Sequence, residues 1–183
     1  MKQMIGAGVK ASGDVEVARG VSLGAVGMRS LYRFECVGRD GRVKWVEEIH
    51  NLVVNEGLND LLTQYFKGSD YTAAWYVGLK GAGSADAGDT LASHSGWAEV
   101  TEYDGNRKAL TLGSVSSQAV DNSGNKAVFE ITDTVTVAGG FVCSAATGTS
   151  GVLYGVADFA NSRALEDGDT LNVTVTLEAE AAA

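Results

Sequence analysis

The sequence predicts a mainly β protein: an antiparallel β-sandwich, jelly-roll or immunoglobulin-like, with one short α-helix and an extended N-terminal arm. Three observations predict it. Short segments with alternating apolar residues recur along most of the chain, separated by turns rich in Gly, Asn, Asp and Ser. Proline is absent and glycine numbers 24, so turns must rest on positive φ and on side-chain-to-backbone hydrogen bonds. Helical periodicity is confined to one segment, near residues 56–67.

The elements follow in chain order. Residues 1–29 hold six glycines and no sustained period; VEVARGV could form a short strand, and the rest reads as an arm that orders on a neighbour. Residues 30–178 form the body, and 179–183 read as a frayed tail. SLYRFECV alternates Tyr32, Phe34 and Cys36 against polar positions, which predicts a strand with one buried face. Gly38-Arg39-Asp40-Gly41 carries a hairpin-turn signature. The return strand alternates through Trp45 and Ile49, then becomes fully apolar at Leu52-Val53-Val54, which predicts a bulge or a passage into the core.

Asn55 suits a helix N-cap, Glu56 suits the positive end of the helix dipole, and Gly68 suits the stop. Leu58, Leu61, Leu62 and Tyr65 form an apolar stripe expected to pack on a sheet. If buried there, Leu61→Ala or Leu62→Ala would cost ~2–5 kcal/mol. TAAWYVGLK reads as the next strand, with Trp75, like Trp45, a core or interface anchor. Residues 80–97 form a long polar excursion, expected to be a functional loop or a segment held by a partner. WAEVTEY, RKALTLGSV, KAVFEIT, TVTVAGGFVCSA, GVLYGVADF and TLNVTVTLEA then read as strands. Gly88-Asp89-Thr90-Leu91 is echoed by Gly168-Asp169-Thr170-Leu171, a Gly-Asp turn feeding a strand start in both places.

Composition limits the function classes. With 45% apolar and 20% charged residues the chain has the make-up of a globular protein that can bury a core without disulfides or metals. The net charge of −9 is uneven. Residues 1–45 hold eight basic groups against four acidic, a balance of +4, and residues 46–183 hold six against nineteen, a balance of −13. An acidic body argues against nonspecific nucleic-acid binding, while the basic end (Lys2, Lys10, Arg19, Arg29) could seat against an acidic neighbour. Cys36 and Cys143 lie in apolar strands and are expected to be buried free thiols. The start of the sequence lacks a secretory apolar region, and no run is long enough for a membrane helix, so a chain made in the cytoplasm with no membrane partner is expected.

Constellations that would carry chemistry are weak. His50 and His94 lack the converging partners of a zinc site or a nucleophilic triad. The acidic clusters Asp86/Asp89 and Glu166/Asp167/Asp169 do not have calcium-loop spacing, and turn formation explains them. The Gly-rich stretches are neither phosphate-binding loops nor dinucleotide fingerprints. No cofactor, metal or catalytic residue is expected. Trp97, after the Gly-rich loop and close to His94, is the aromatic expected to meet a partner; a carbohydrate-binding module or hydrolase using it is the remote alternative.

KWVEEIHNLVVNEGLNDLL, TAAWYVGLKG, GDTLASHSGWAEV and the closing GDTLNVTVTL together resemble a family of small β-rich structural proteins of tailed-bacteriophage virions. The resemblance runs from about Tyr32 to Leu177 and its motifs are structural. It implies a noncatalytic capsid decoration or cement protein, bound to the major capsid protein lattice and homo-oligomeric, a trimer being one option. A tail- or fibre-associated virion protein is the alternative.

Overall fold

The structure is a computed structural model that describes residues 26–67 and 74–181. Two antiparallel sheets pack face to face as a β-sandwich. The first is built on β1 (Val26–Val37). One of its edges pairs with β2 (Val43–His50), the other with the last strand, β11 (Thr170–Ala181). Two short strands, β7 (Ala119–Asp121) and β8 (Ala127–Glu130), share the far edge of β11. The second sheet runs β3 (Leu52–Val53), β10 (Leu153–Leu165), β9 (Val135–Cys143), β4 (Tyr76–Lys80), with β5 (Glu99–Val100) and β6 (Lys108–Ala109) on β4. The first strand thus pairs with the last, and β3 pairs with the last but one.

The alternation of β1 delivers what it predicts. Tyr32, Phe34 and Cys36 are fully buried, as are Leu171, Val173 and Val175 of β11 and Phe129 of β8. They meet Val77 and Leu79 of β4, Val137 and Val142 of β9, and Ala157 and Phe159 of β10. The Phe34 ring stands edge-on to Phe159 at 4.7 Å, a favoured aromatic geometry. Trp45 and Trp75 are half-buried and pack against this core from its margin.

The boundaries need correction at both ends. Residues 26–29 are not arm: Val26 to Arg29 pair with Ala181 to Glu178. Residues 179–181 are, by the same ladder, strand and not tail. Residues 1–25, including Lys2, Lys10 and Arg19, lie outside the described residues.

The apolar drift after β2 is a change of sheet. His50 still pairs with Leu31 in the first sheet, whereas Leu52 pairs with Val156 in the second. Asn51 makes the crossing: its N–H donates to the Ser30 carbonyl (3.0 Å) and its Oδ1 accepts from the Ser30 N–H (3.0 Å).

The helix α1 (Asn55–Lys67) forms where its period predicts, but two details differ. The Leu58 N–H donates to the Val54 carbonyl, so Val54 is the N-cap, and Asn55 sits inside the first turn with its N–H on the Ala87 carbonyl. The helix is also rotated. A Cβ on Gly57 would lie 2.4 Å from the Tyr154 carbonyl oxygen, so only glycine permits this seating on β10. With about 100° between successive residues, seating at Gly57 turns Leu61, Asp60 and Gln64 inward. Leu58 (38% exposed) and Leu62 (52% exposed) face outward with Asn55 and Asn59. Leu58 and Leu62 are therefore not core residues, Leu61 is half-buried, and the Tyr65 side chain lies outside those described. Leu62→Ala is accordingly expected to cost under about 1 kcal/mol in chemical denaturation; a loss of several would mean that the stripe is buried after all.

The second sheet is covered on both faces. Its outer face carries Phe141, Cys143, Leu153 and Val156, roofed by Val54, Leu91 and Trp97. Leu91 and Trp97 of that roof belong to the polar excursion. It folds back onto its own sheet, so it is neither a free loop nor a segment held only by a partner. Its closure uses the echoed turn. Asp89 Oδ2 accepts from the Asp86 N–H (3.0 Å), while the Asp89 N–H donates to the Asp86 carbonyl (3.0 Å). Asp169 repeats this with Glu166, at 2.9 Å for both bonds. Both turns then bury the following leucine completely, Leu91 in one and Leu171 in the other. Glu56 locks the assembly: Oε2 accepts from the Leu91 N–H (3.0 Å) and the Leu153 N–H (2.6 Å). One carboxylate joins helix, excursion and β10, a role beyond the dipole.

Candidate interaction surface

Trp97, His94 and the two thiols are engaged in the fold. Trp97 is 6% exposed; its Nε1 donates to Asp89 Oδ2 (2.9 Å) and its ring packs against Phe141 at 5.2 Å. It is a core anchor, and the expected partner contact or sugar-stacking face at Trp97 is overturned by that burial. His94 stacks on the same ring at 4.0 Å, with Nδ1 3.2 Å from the Trp97 carbonyl. It is half-buried as a lid on Trp97. His50 is exposed at the end of β2, far along the chain from any of these groups.

Cys36 and Cys143 are buried free thiols, as expected. Burial, then the Asp169 carboxylate nearby, pushes the Cys36 thiol up to about 12. Burial also raises Cys143. A thiol without thiolate character is a poor nucleophile. Burial likewise raises Tyr32, Tyr103 and Tyr154. Among the described residues no group of three or more His, Cys, Asp or Glu could hold a metal ion.

The acidic turn at 166–169 faces the β1–β2 hairpin across an open polar groove lined by Arg39, Asp40, Lys44, Glu166, Asp167 and Asp169. Its charges pair across it: Lys44 Nζ lies 2.8 Å from Asp169 and 2.9 Å from Glu166, and Arg39 2.9 Å from Asp167. Burial pushes the Asp169 carboxyl up, but the Glu166 N–H and the Lys44 ammonium outweigh it and hold it below the usual range. Its hydrogen bond to Asp169, then that to Glu166, raises Lys44. The linkage has a definite sign. A carboxyl depressed in the folded state stabilises the fold above its unfolded pKa of ~3.9, and that contribution is lost as pH falls through the lower folded value. Wild type is therefore expected to lose more stability than Asp169→Asn between about pH 4 and pH 2, read from urea midpoints. Parallel acid dependence in the two proteins would contradict this.

The described part of the basic end, from residue 26 to 45, is paired within the molecule. Arg29 bonds Glu178 (2.8 Å), Arg33 bonds Glu35 (2.9 Å) and lies 3.6 Å from Glu48, and Arg42 lies 3.7 Å from Asp40. With Arg39 and Lys44, every basic residue from 26 to 45 has an acidic neighbour in its own chain. Such exposed pairs contribute little stability, yet they give Arg29, one of the four basic residues expected to seat on a neighbour, an acidic partner in its own chain. Arg29 is thus no basic contact in waiting. Any electrostatic docking falls to Lys2, Lys10 and Arg19, outside the described residues.

Among the described residues the large apolar side chains left exposed fall in two places, Val115 (75% exposed) and Val128 (39%) beside and on the β7–β8 edge, and a larger group on β2, β3 and α1. Val43 (55% exposed) and Val46 (43%) are on β2, an outer strand of the first sheet. Leu52 (41%) is on β3, the corresponding outer strand of the second. Leu58 and Leu62 continue the series on α1. Sequence reasoning assigned Leu58 and Leu62 to the core, expected a bulge or a passage into the core at Leu52, and did not single out Val43 or Val46. The signal that could have turned the helix was Gly57, a poor helix former inside a helix. No known protein family matches the chain, and no curated protein sequence matches it.

Proposed function

We propose that this chain is a noncatalytic structural protein of a tailed-bacteriophage virion, a head decoration protein that binds the major capsid protein lattice and stabilises the shell by added contacts. The observation that supports this reading is the group of exposed apolar residues on β2, β3 and α1, Val43, Val46, Leu52, Leu58 and Leu62. Around it the two thiols and Trp97 are buried, and the basic residues from 26 to 45 are paired within the chain. Outer strands with unpaired backbone groups are ready templates for a neighbouring chain, and exposed leucines beside them supply apolar area for docking. The virion resemblance rests on the motifs quoted above.

The test is the composition of a purified particle. Mass spectrometry should find the chain at hundreds of copies per particle, and imaging should place it on the head exterior. A few to some dozens of copies would move it to the tail, and its absence from particles would end the reading. Removing residues 1–25, and no further because Val26 begins β1, is expected to leave the body folded and weaken attachment to heads. Unchanged attachment would assign binding to the body alone.

A further inference from the structure

We propose that Ser30, Tyr32, Asn51 and Tyr154 form an internal water-binding site, in which an ordered water joins the first sheet to the second where the chain changes sheet. The site belongs to the isolated body and is independent of the virion reading.

The starting point is a set of polar atoms that the fold encloses without giving them a partner. Ser30 and Tyr32 are fully buried, and Tyr154 is 7% exposed. Ser30 Oγ, the Tyr32 and Tyr154 hydroxyls and Asn51 Nδ2 are all buried, and none hydrogen-bonds to a described residue. Each such orphan costs free energy. Native interiors hold few of them, and four in one place call for a common partner.

The four do lie in one place. Ser30 and Tyr32 are two apart on the inward face of β1. Asn51 Oδ1 is taken by the Ser30 N–H, which fixes the amide and leaves Nδ2 as the end that needs an acceptor. Nδ2 is pressed against β10: a Cβ on Gly155 would lie 2.2 Å from it, so the glycine beside Tyr154 is what admits the amide. The Tyr32 hydroxyl feels both neighbours, since Tyr154 adds to the rise that burial causes and Asn51 opposes it. Tyr32 and Tyr154 also share one apolar cluster, and the Trp75 ring stands edge-on to Tyr154 at 5.7 Å.

The chemistry of the set selects water. One amide donor meets three hydroxyls, each able to donate and accept, and none of the four groups is charged. A metal ion would face the Nδ2 hydrogens with no carboxylate to hold it. An anion would bring an uncompensated charge into an apolar core. A water accepts from Nδ2 and donates to two hydroxyls, within the roughly two to four bonds of a buried water. It thereby ties β1 and the crossing residue to β10, at the point where β2 ends and the chain leaves the first sheet.

The experiment uses the full-length chain. A crystal structure at about 1.5 Å or better should show a water within ~2.6–3.2 Å of Asn51 Nδ2 and of at least one tyrosine hydroxyl. Urea denaturation of Tyr32→Phe and Tyr154→Phe gives a second reading. Deleting an orphan hydroxyl is neutral or stabilising, whereas deleting a partner of the water leaves a buried bond unmade. Each variant is therefore expected to lower the folding equilibrium constant about fivefold, and the double variant by less than the product of the two. Electron density in which Nδ2 and the hydroxyls bond one another directly, with no water between them, overturns the proposal. So do single variants that are as stable as wild type, or more stable.

Discussion

Trp97→Ala is expected to remove about 3–5 kcal/mol of folding stability and to lower Tm by roughly 10 °C. The indole does three things at once. It fills the space between the excursion and the outer face of the second sheet, in contact with Phe141, and it supports the His94 ring. Its Nε1 is also a partner of the Asp89 carboxylate, in a residue only 8% exposed. Truncation therefore leaves a cavity and takes a hydrogen bond from a buried charge, and the two costs add. His94→Ala removes only the outer member of the stack and should cost about 1 kcal/mol. Equilibrium urea denaturation of the two variants separates these effects. A Trp97→Ala protein with an unchanged midpoint would mean that the excursion is not part of the cooperative fold. It would also reopen a surface role for the ring.

What could be read from the sequence, and what could not, follows one physical rule: a pattern is legible when a single buried face produces it. β1 and β11 alternate because one face meets the core and the other meets water, so Tyr32, Phe34 and Cys36 announce themselves. In β9 and β10 the alternation vanishes at Gly140-Phe141-Val142-Cys143 and Leu153-Tyr154-Gly155-Val156, because the excursion covers the second face. Those strands were recognisable only by composition, and β10 runs on to Leu165, past its expected end near Phe159. β7 is three residues long and too short for any period. The helix illustrates a different limit. Periodicity shows that Leu58, Leu61 and Leu62 share a side, but Gly57 and its contact with Tyr154 decide which side meets the sheet. Charge between residues 26 and 45 was not legible for a third reason. The +4 and −13 balances describe sequence halves, whereas the β1–β11 ladder and its neighbouring turn bring Arg29 to Glu178, Arg39 to Asp167 and Lys44 to Asp169. Segregation along the chain becomes neutralisation in space.

Lys80 supplies the other large effect, and its value lies in an asymmetry between two substitutions. Lys80 is fully buried at the end of β4. The register sets it beside Gly139, which in turn faces Asp158, and across that glycine Nζ reaches Asp158 Oδ1 at 2.6 Å. The ammonium also bonds the carbonyls of Gly81 and Gly83, and the second Asp158 oxygen accepts from the Ala85 N–H (3.1 Å). The pair thereby fastens the start of the excursion to β10. Asp158→Ala strands a buried cation among neutral acceptors and is expected to cost about 3–5 kcal/mol. Lys80→Met is the smaller loss, about 1 kcal/mol, because the apolar stem is replaced in kind and the Asp158 side chain, 39% exposed, can be hydrated. The double variant should be close to Lys80→Met alone, which makes the coupling between the sites roughly equal in size to the whole cost of Asp158→Ala. Urea denaturation of the four proteins completes the cycle. Equal losses from the two single substitutions, adding in the double, would show that the ammonium is not confined and that the pair acts as an ordinary surface contact.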